Sequence, residues 1–235
     1  MNYVILNGVS SRTIAGLLIQ ELPPISLPKM RVEVAEIDGR DGDTITELGY
    51  SAYDKELTIG LYGAFDINAV IAFFASRGTV TFSNEPDKAY RYQVLEQIDF
   101  ERLVRFRTAT VTLHVQPFKY KADETPVDVI FDGDTSVEVT NSGNTTAKPR
   151  ITIWGSGDVL MSVNGIQTFS ITMDDIGYIT IDAEQMEAVK DNSLMNRRVT
   201  GDYSNFVLQA GENTISFTGT GSVTEVQIAN YSRWL

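Results

Sequence analysis

The sequence predicts a mainly β protein built from two domains. Segments in which apolar and polar residues alternate, the pattern of half-buried strands, occur in the first half at residues 31–37 and 55–62. In the second half, candidate strands recur every ~8–12 residues with turn residues between them, which is the spacing of a β-sandwich. An acidic, proline-containing stretch at residues 122–126 separates the two halves. We therefore place the domains at residues 1–121 and 126–235.

The first domain opens with a short strand and a proline-rich arm. Residues 1–10 predict a strand that turns at Asn7-Gly8. Pro23, Pro24 and Pro28 follow, and proline lacks the N–H group that a central strand must donate. We expect this segment to be an extended arm or an edge segment.

Two strands and a tight turn come next. Residues 31–37 alternate cleanly, so we expect a strand with one buried face. Gly39 and Gly42 then predict a tight turn, since glycine adopts positive φ without steric cost. Residues 55–62 alternate again and predict a further strand.

One α-helix is clearly marked in the first domain. Asp66 is a favourable N-cap residue, and an apolar stripe with helical spacing follows it. The stripe consists of Ile67, Val70, Ile71 and Phe74. We expect Arg77 to lie in the last turn and Gly78 to end the helix.

A long β-hairpin is predicted at the end of the first domain. Residues 90–100 and 102–117 form its two strands, with a turn near residues 99–101. The apolar positions change from even to odd numbers along the second strand, which predicts a β-bulge near Arg107 and Thr108. Arg105 and Arg107 would then project from one strand face.

The second domain reads as a sandwich of short strands. Residues 184–189 are ambiguous between helix and strand, and the surrounding pattern favours a strand. Asp132-Gly133-Asp134 predicts a turn. Trp154 lies in an apolar strand, where burial in the core is the commoner outcome and a stacking contact with a sugar ring is the alternative.

The residues that catalysis requires are scarce. The chain has no cysteine and a single histidine, His114, so it has neither a thiol nucleophile nor a histidine metal triad. Asp174-Asp175 could be proposed as an acid–base pair, but adjacent carboxylates in a turn are usually solvated. Arg40 interrupts the ligand spacing that Asp38, Asp41 and Asp43 would need for a calcium loop. We therefore predict no enzyme, no metal and no cofactor.

Charge limits the classes of partner. The net charge is −12, of which −3 falls on residues 1–120 and −9 on residues 121–235. This balance disfavours general nucleic-acid binding, which needs a positive surface. One basic cluster offers two interpretations, cross-strand ion pairs with Glu96, Asp99 and Glu101 or a contact between subunits. The cluster consists of Arg91, Arg102, Arg105 and Arg107.

No apolar run approaches the ~20 residues of a membrane helix, and the N-terminus lacks the pattern of a signal peptide. We expect a protein that is made soluble in a cytoplasm and has no membrane partner.

Short motifs in a fixed order resemble one known family. The first-half motifs are Gly39-Arg40-Asp41-Gly42 and Gln116-Pro117-Phe118-Lys119-Tyr120-Lys121. The second-half motifs are Gly201-Asp202, Gly211-Glu212-Asn213-Thr214 and Arg233-Trp234-Leu235. In this order and spacing the chain resembles the distal tail proteins (Dit) of long-tailed, non-contractile phages. The resemblance implies a sandwich-like ring domain with one helix and a long hairpin, followed by a galectin-like β-sandwich.

The resemblance also implies a role and partners. Members of the family form a hexameric ring around a channel at the virion tail tip, after synthesis in the host cytoplasm. The ring joins the major tail tube protein to the tail-associated fibre or lysin protein, and in some phages it holds receptor-binding proteins. DNA passes through the channel without sequence recognition.

Contact residues are predicted by position alone. For the ring we expect the N-terminal strand, the arm with Pro23, Pro24 and Pro28, and the tip of the hairpin at residues 98–107. The tip carries Arg102, Arg105 and Arg107. Two alternatives to the structural hub remain at this point. One is a carbohydrate-binding adhesin that contacts sugar through Trp154, and the other is a glycan hydrolase with an unrecognised carboxylate pair.

Overall fold

The structure, a computed structural model, describes residues 1–132 and 135–235. The chain forms two compact units, one made of residues 1–122 with the terminal Leu235 and one made of residues 123–234. Each unit has its own apolar core. Among the described residues, no helix is long and apolar enough to cross a membrane.

The first unit is built on a curled antiparallel sheet. Its strands are β1 (Val4–Leu6), β2 (Val9–Ser10), β3 (Leu17–Glu21), β4 (Met30–Glu36), β5 (Asp43–Tyr50), β6 (Tyr53–Leu61), β7 (Arg77–Phe82), β8 (Lys88–Gln93) and β9 (Thr108–Lys121). Seven of them pair in the order β2-β1-β7-β8-β9-β6-β3. Strands β4 and β5 pair with each other in a separate two-stranded sheet.

Two helices close the core of this unit, α1 (Ile67–Phe74) and α2 (Phe100–Phe106). Alternate residues of the strands point inward, as in Leu57, Ile59 and Leu61 of β6. Val70 and Phe74 of α1 and Leu103 of α2 are fully buried against this face. Burial of large apolar side chains on this scale contributes about 2 kcal/mol each.

The predicted start of α1 is confirmed and its predicted end is wrong. The Asp66 carboxylate accepts a hydrogen bond from the Asn68 N–H at 2.9 Å, as an N-cap should. The helix ends at Phe74, and Arg77 and Gly78 belong to strand β7. Glycine is needed at 78 because a Cβ there would lie 2.0 Å from the side-chain oxygen of Asn7, which binds this strand.

The predicted long hairpin is wrong at its turn, because residues 100–106 form α2. The Asp99 carboxylate caps this helix by accepting from the Arg102 N–H at 2.8 Å. Arg107 ends it in the left-handed region, with φ of 63°. The change from even to odd apolar positions is therefore a helix-to-strand junction, and no bulge occurs between Arg107 and Thr108.

The second unit is a two-sheet sandwich, as predicted. Its strands are β10 (Val127–Ile130), β11 (Ser136–Asn141), β12 (Arg150–Ser156), β13 (Asp158–Val163), β14 (Ile166–Thr172), β15 (Tyr178–Asp182), β16 (Glu187–Lys190), β17 (Ser193–Leu194), β18 (Val199–Gly201), β19 (Gly211–Gly219) and β20 (Ser222–Ala229). The short strand β21 (Arg233–Trp234) belongs to neither sheet of the sandwich. Among the described residues, the sheet orders are β10-β20-β12-β15-β16-β17 and β11-β19-β13-β14-β18.

The core of the sandwich lies between the two sheets. Ile151 and Ile153 of β12 face Met161 of β13 and Phe169 of β14, and all four are buried. The strand interpretation of residues 184–189 is confirmed for Glu187–Lys190, which form β16 after a turn. Of the predicted turn Asp132-Gly133-Asp134, Gly133 and Asp134 lie outside the described residues.

The beginning and the end of the second unit are fastened together. The Glu124 carboxylate accepts a hydrogen bond from the Ser232 N–H at 2.7 Å and a second one from the Ser232 hydroxyl. Ser232 is completely buried. One acidic side chain therefore holds the first and last segments of this unit side by side.

Candidate functional site

The most unusual surface of the first unit is the hairpin of β4 and β5. Its turn has Gly39 and Gly42 at positive φ, as predicted. The prediction that residues 31–37 bury one face is wrong, because every residue from Arg31 to Glu36 is exposed. The hairpin's exposed large apolar side chains are Val32, Val34, Ile37, Ile45 and Leu48.

The pairing register separates two different faces of this hairpin. Val34 lies opposite Ile45, Val32 opposite Glu47, and Glu36 opposite Asp43, so these six side chains share one face. We call this set of six the hairpin face. Its middle row, Val34 and Ile45, is apolar, one end row is acidic, and the other end row combines an apolar Val32 with an acidic Glu47. The opposite face carries Glu33, Ala35, Thr44 and Thr46.

The arm before the hairpin is pinned at both ends. Pro23 and Pro28 are buried, while the residues between them are exposed, with Leu27 at 72%. The Asn84 amide donates to the Pro23 carbonyl at 3.0 Å, and the Lys55 ammonium donates to the Pro24 carbonyl at 2.8 Å. The arm therefore lies outside the strands, and two side chains hold its first residues to the body of the unit.

Lys55 belongs to a buried polar cluster. Its ammonium lies 4.9 Å from the ring centre of Tyr90, within cation–π range. Glu85 accepts from the Lys119 ammonium at 2.8 Å and from the Tyr90 hydroxyl at 2.5 Å. Burial lowers the pKa of Lys55 to about 8, against the attraction of Glu85. Burial and the hydrogen bond to Glu85 raise the pKa of Tyr90.

Of the predicted basic cluster, Arg102 and Arg105 lie on α2 rather than on a strand, whereas Arg91 lies on strand β8. Arg102 and Arg105 are exposed, and Arg107 follows at the end of the helix with its guanidinium 4.6 Å from the Phe65 ring centre. Val104 and Phe106 are exposed beside them, at 41% and 64%. Among the described residues, Arg102, Arg105 and Arg107 form no ion pair, so the predicted pairs with Glu96, Asp99 and Glu101 are absent for these three.

A shallow cleft of about 270 Å³ lies on this helix, lined by Asp99, Glu101, Arg102, Arg105 and Phe106. We call Arg102, Val104, Arg105 and Phe106 the arginine surface. It combines two cations with two exposed apolar side chains within one and a half helical turns.

Trp154 lies on the outer face of the second unit's larger sheet. Its ring stacks on Tyr178 of the neighbouring strand, with ring centres 5.9 Å apart. The Lys190 ammonium lies 5.2 Å from the Tyr178 ring centre, and the Tyr178 hydroxyl donates to Asp191. These contacts form a cross-strand ladder, and the sugar contact at Trp154 stays a prediction.

His114, the single histidine, has a structural partner. His114 is paired with Asp54 across β9 and β6, its Nδ1 being 2.7 Å from the carboxylate. In residues 1–132 and 135–235, no group of three or more His, Asp or Glu side chains is placed to hold a metal ion.

The fold and these surfaces define a class: two-unit, mainly β proteins in which an exposed hairpin projects from the first unit. The Dit protein of phage SPP1 (gp 19.1) has this fold, with a TM-score of 0.64 and 17% sequence identity over 97% of each chain. That protein is described as a paradigm of the hub adsorption apparatus in phages that infect Gram-positive bacteria. The predicted likeness to phage distal tail proteins is therefore confirmed at the level of the fold.

Weaker similarities point to the phage p2 baseplate in its activated conformation. The strontium form matches with a TM-score of 0.45 and 8% identity over 98% of each chain. The calcium form matches with a TM-score of 0.42 and 9% identity over 98% of this chain and 99% of that one. At these scores neither similarity carries a conclusion. No protein-family model and no curated protein matches the chain.

The hairpin face is the surface that sequence reasoning missed. Alternation at residues 31–37 was interpreted as a sign of one buried face, but alternation reports which side chains share a face and not what covers them. The amino-acid composition could have indicated that the hairpin is exposed, since it has six acidic and two basic residues around its apolar positions. So many charges are unusual in a strand pair packed on its own domain.

Proposed function

We propose that this protein is the structural hub of a phage tail tip. It assembles as a hexameric ring that joins the major tail tube protein to the tail-associated fibre or lysin protein, and its second unit anchors receptor-binding proteins. The observation that carries this proposal is the exposed hairpin of β4 and β5, on a chain that shares the SPP1 Dit fold over 97% of its length.

The exposed hairpin calls for a protein partner on physical grounds. A lone two-stranded sheet is at best marginally stable in water, and it gains stability when a further surface packs on it. Val34 and Ile45 are 51% and 62% exposed although they face each other across the strands. A contiguous exposed apolar patch of this kind is typical of a protein–protein contact.

The chain's charge suits passage of DNA through such a ring. A net charge of −12 gives no overall attraction to phosphates, so DNA slides past the protein instead of binding it. The proposed virion location follows from the hub role.

The test is the solution mass of the intact chain over a concentration series, measured by light scattering after size exclusion. The wild-type protein is expected to reach a species near six times the 26.0 kDa chain mass. The double variant Val34→Thr, Ile45→Thr is expected to shift the distribution toward monomer, because threonine keeps the strand preference and removes apolar contact area.

A matched control makes the result specific. Ile130→Thr with Leu194→Thr changes two exposed apolar residues of the second unit and is expected to leave the mass unchanged. Both double variants should keep the wild-type melting temperature within a few degrees, since all four positions are exposed. A wild-type chain that stays monomeric at every concentration, alone and with a tail tube protein, would contradict the hub proposal.

A further inference from the structure

Each unit contains an asparagine–glycine turn between two paired strands. The chain has two Asn-Gly dipeptides, Asn7-Gly8 between β1 and β2, and Asn164-Gly165 between β13 and β14. All four residues have positive φ, at 49° and 82° in the first turn and at 51° and 78° in the second. Two consecutive residues with positive φ are typical of a tight hairpin turn.

In the first unit, the Asn7 side chain is bound to strand β7. Its Oδ1 accepts a hydrogen bond from the Thr79 N–H at 2.9 Å, and its Nδ2 donates to the Arg77 carbonyl at 3.0 Å. Gly78 leaves room for this contact, since a Cβ at position 78 would lie 2.0 Å from the Asn7 Oδ1. Both ends of the Asn7 amide are therefore held by a strand that is distant in the sequence.

In the second unit, the Asn164 side chain is bound to strand β19 in a similar way. Its Oδ1 accepts from the Thr214 N–H and its Nδ2 donates to the Asn213 Oδ1, both at 2.9 Å. Asn213 is 1% exposed, and its own Nδ2 donates to the carbonyls of Gln209 and Gly211. The Asn213 side chain therefore cannot turn over to offer Asn164 a donor without losing these two hydrogen bonds.

An asparagine that precedes glycine is especially prone to deamidation, because glycine has no side chain to shield its backbone nitrogen. In this reaction the deprotonated glycine nitrogen forms a bond to the asparagine Cγ, the Cγ–Nδ2 bond breaks, and ammonia leaves. Water then opens the resulting succinimide ring to aspartate or isoaspartate. Ring closure requires the side chain to turn toward the following nitrogen, and hydrogen bonds to another strand oppose that movement.

We infer that Asn7 and Asn164 are latent deamidation sites, which the folded chain holds inactive through both ends of the side-chain amide. Deamidation requires a local opening that frees the turn from its neighbouring strand. The product then unfastens the turn, because the new carboxylate faces an acceptor at the point where the Nδ2 donated. This inference is independent of the proposed hub role, since it depends only on contacts within each unit.

Peptide mapping by mass spectrometry measures the reaction at both sites. The intact chain is incubated at mildly alkaline pH, in buffer and in concentrated guanidinium chloride, and aspartate and isoaspartate are quantified at positions 7 and 164. Both sites are expected to react roughly tenfold or more slowly in buffer, because only the opened fraction reacts. Asn205, which precedes Phe206, is the control and should react slowly in both conditions. Equal rates in the two conditions would overturn the inference.

Gly78→Ala separates the side-chain contact from general stability. The added Cβ displaces the Asn7 Oδ1, so deamidation of Asn7 in buffer is expected to become roughly tenfold or more faster. Asn164 in the same molecule should keep its wild-type rate. Asp66→Ala is the matched control, since it weakens the first unit at the cap of α1 and leaves Asn7 in place. An equal rise at Asn7 in both variants would show that the amide contacts do not protect this site.

Asn164→Asp tests the consequence of the reaction directly. At neutral pH its carboxylate faces the Asn213 Oδ1, so the urea midpoint of the second unit should fall below that of wild type. At acidic pH the protonated carboxyl donates in place of the amide, and the difference from wild type at the same pH should shrink. Asn192→Asp makes the same change at an exposed turn residue with φ of 65° and should keep the wild-type midpoint. A wild-type midpoint for Asn164→Asp at neutral pH would contradict the unfastening of the turn.

Discussion

At the scale of single residues, the clearest physical consequence concerns Lys55. It is 3% exposed, and its ammonium donates to a carbonyl oxygen of the arm while lying against the Tyr90 ring. Glu85, the carboxylate that attracts the Lys55 charge, is already shared by Lys119 and Tyr90. Burial is the main cause of the lowered pKa of Lys55, the attraction of Glu85 opposes it, and the charge of Lys119 lowers the pKa further.

The stability of the first unit should consequently rise at alkaline pH. The pKa of Lys55 is about 8 in the folded chain and 10.5 when exposed, so between these values the unfolded chain binds more protons. The free energy of unfolding then increases with pH by up to about 3 kcal/mol across this window. Lys55→Met should lose this increase, as measured by urea unfolding at pH 7.5, 9 and 10 in buffers of equal ionic strength (about 0.1 M).

The matched control is Lys29→Met, which changes an exposed lysine and should keep the wild-type pH dependence. Equal pH slopes in wild type and Lys55→Met would show that the Lys55 ammonium is not the source of the effect.

Single residues also show what sequence can and cannot predict. The N-cap role of Asp66 was predicted because a cap depends on neighbours two or three positions away. The environment of Lys55 could not be predicted, since its partners come from positions 24, 85 and 90 and meet only in the folded sheet.

At the scale of elements, the two helices should respond differently to loss of their caps. Asp66→Ala removes the hydrogen bond to the Asn68 N–H and should lower the free energy of unfolding by about 1 kcal/mol. Asp99→Ala removes the hydrogen bond to the Arg102 N–H and should lower it by less, because α2 buries one residue and α1 buries three.

Urea unfolding of the two variants beside wild type measures both losses. A larger loss for Asp99→Ala than for Asp66→Ala would show that the number of buried residues does not set the cost of losing a cap.

The prediction of a turn and a strand where α2 forms failed for a physical reason. Val104 and Phe106 alternate, which favours a strand, while Phe100, Leu103 and Val104 have helical spacing after a capping Asp99. A seven-residue segment satisfies both patterns, and tertiary packing of Leu103 decides for the helix. The consequence reaches the candidate site, because the arginines project from a helix and not from one face of a strand.

At the scale of the whole molecule, the two units can be followed separately. Trp154 stacks on Tyr178 within the second unit's larger sheet, so its fluorescence, followed in chains that carry Trp234→Phe, reports on that unit. Glu124→Ala removes two hydrogen bonds to a buried serine and should destabilise this unit by about 1–3 kcal/mol. The fluorescence transition should shift to lower urea while the assembled mass stays constant.

Glu138→Ala is the control for that change, since it removes an exposed strand carboxylate of the same unit and should shift the transition little. Coincident transitions for Glu124→Ala and wild type would mean that the Glu124–Ser232 contact does not hold the unit closed.

The mainly β class and the C-terminal sandwich could be predicted because strand alternation and turn spacing are local properties of the sequence. The exposure of the hairpin could not be predicted from alternation. Val32 and Val34 alternate with polar residues in the same way whether their own domain or another chain covers them. The ring contacts predicted at the prolines and arginines stay predictions.

The fastening of Glu124 to Ser232 has a consequence for the order of the chain within the second unit. The first and last segments of this unit lie side by side, so a short linker is enough to join them in a circularly permuted version. Such a permutation would leave the paired strands in place and move the new ends of the unit to an exposed turn, such as the one at Asn164-Gly165.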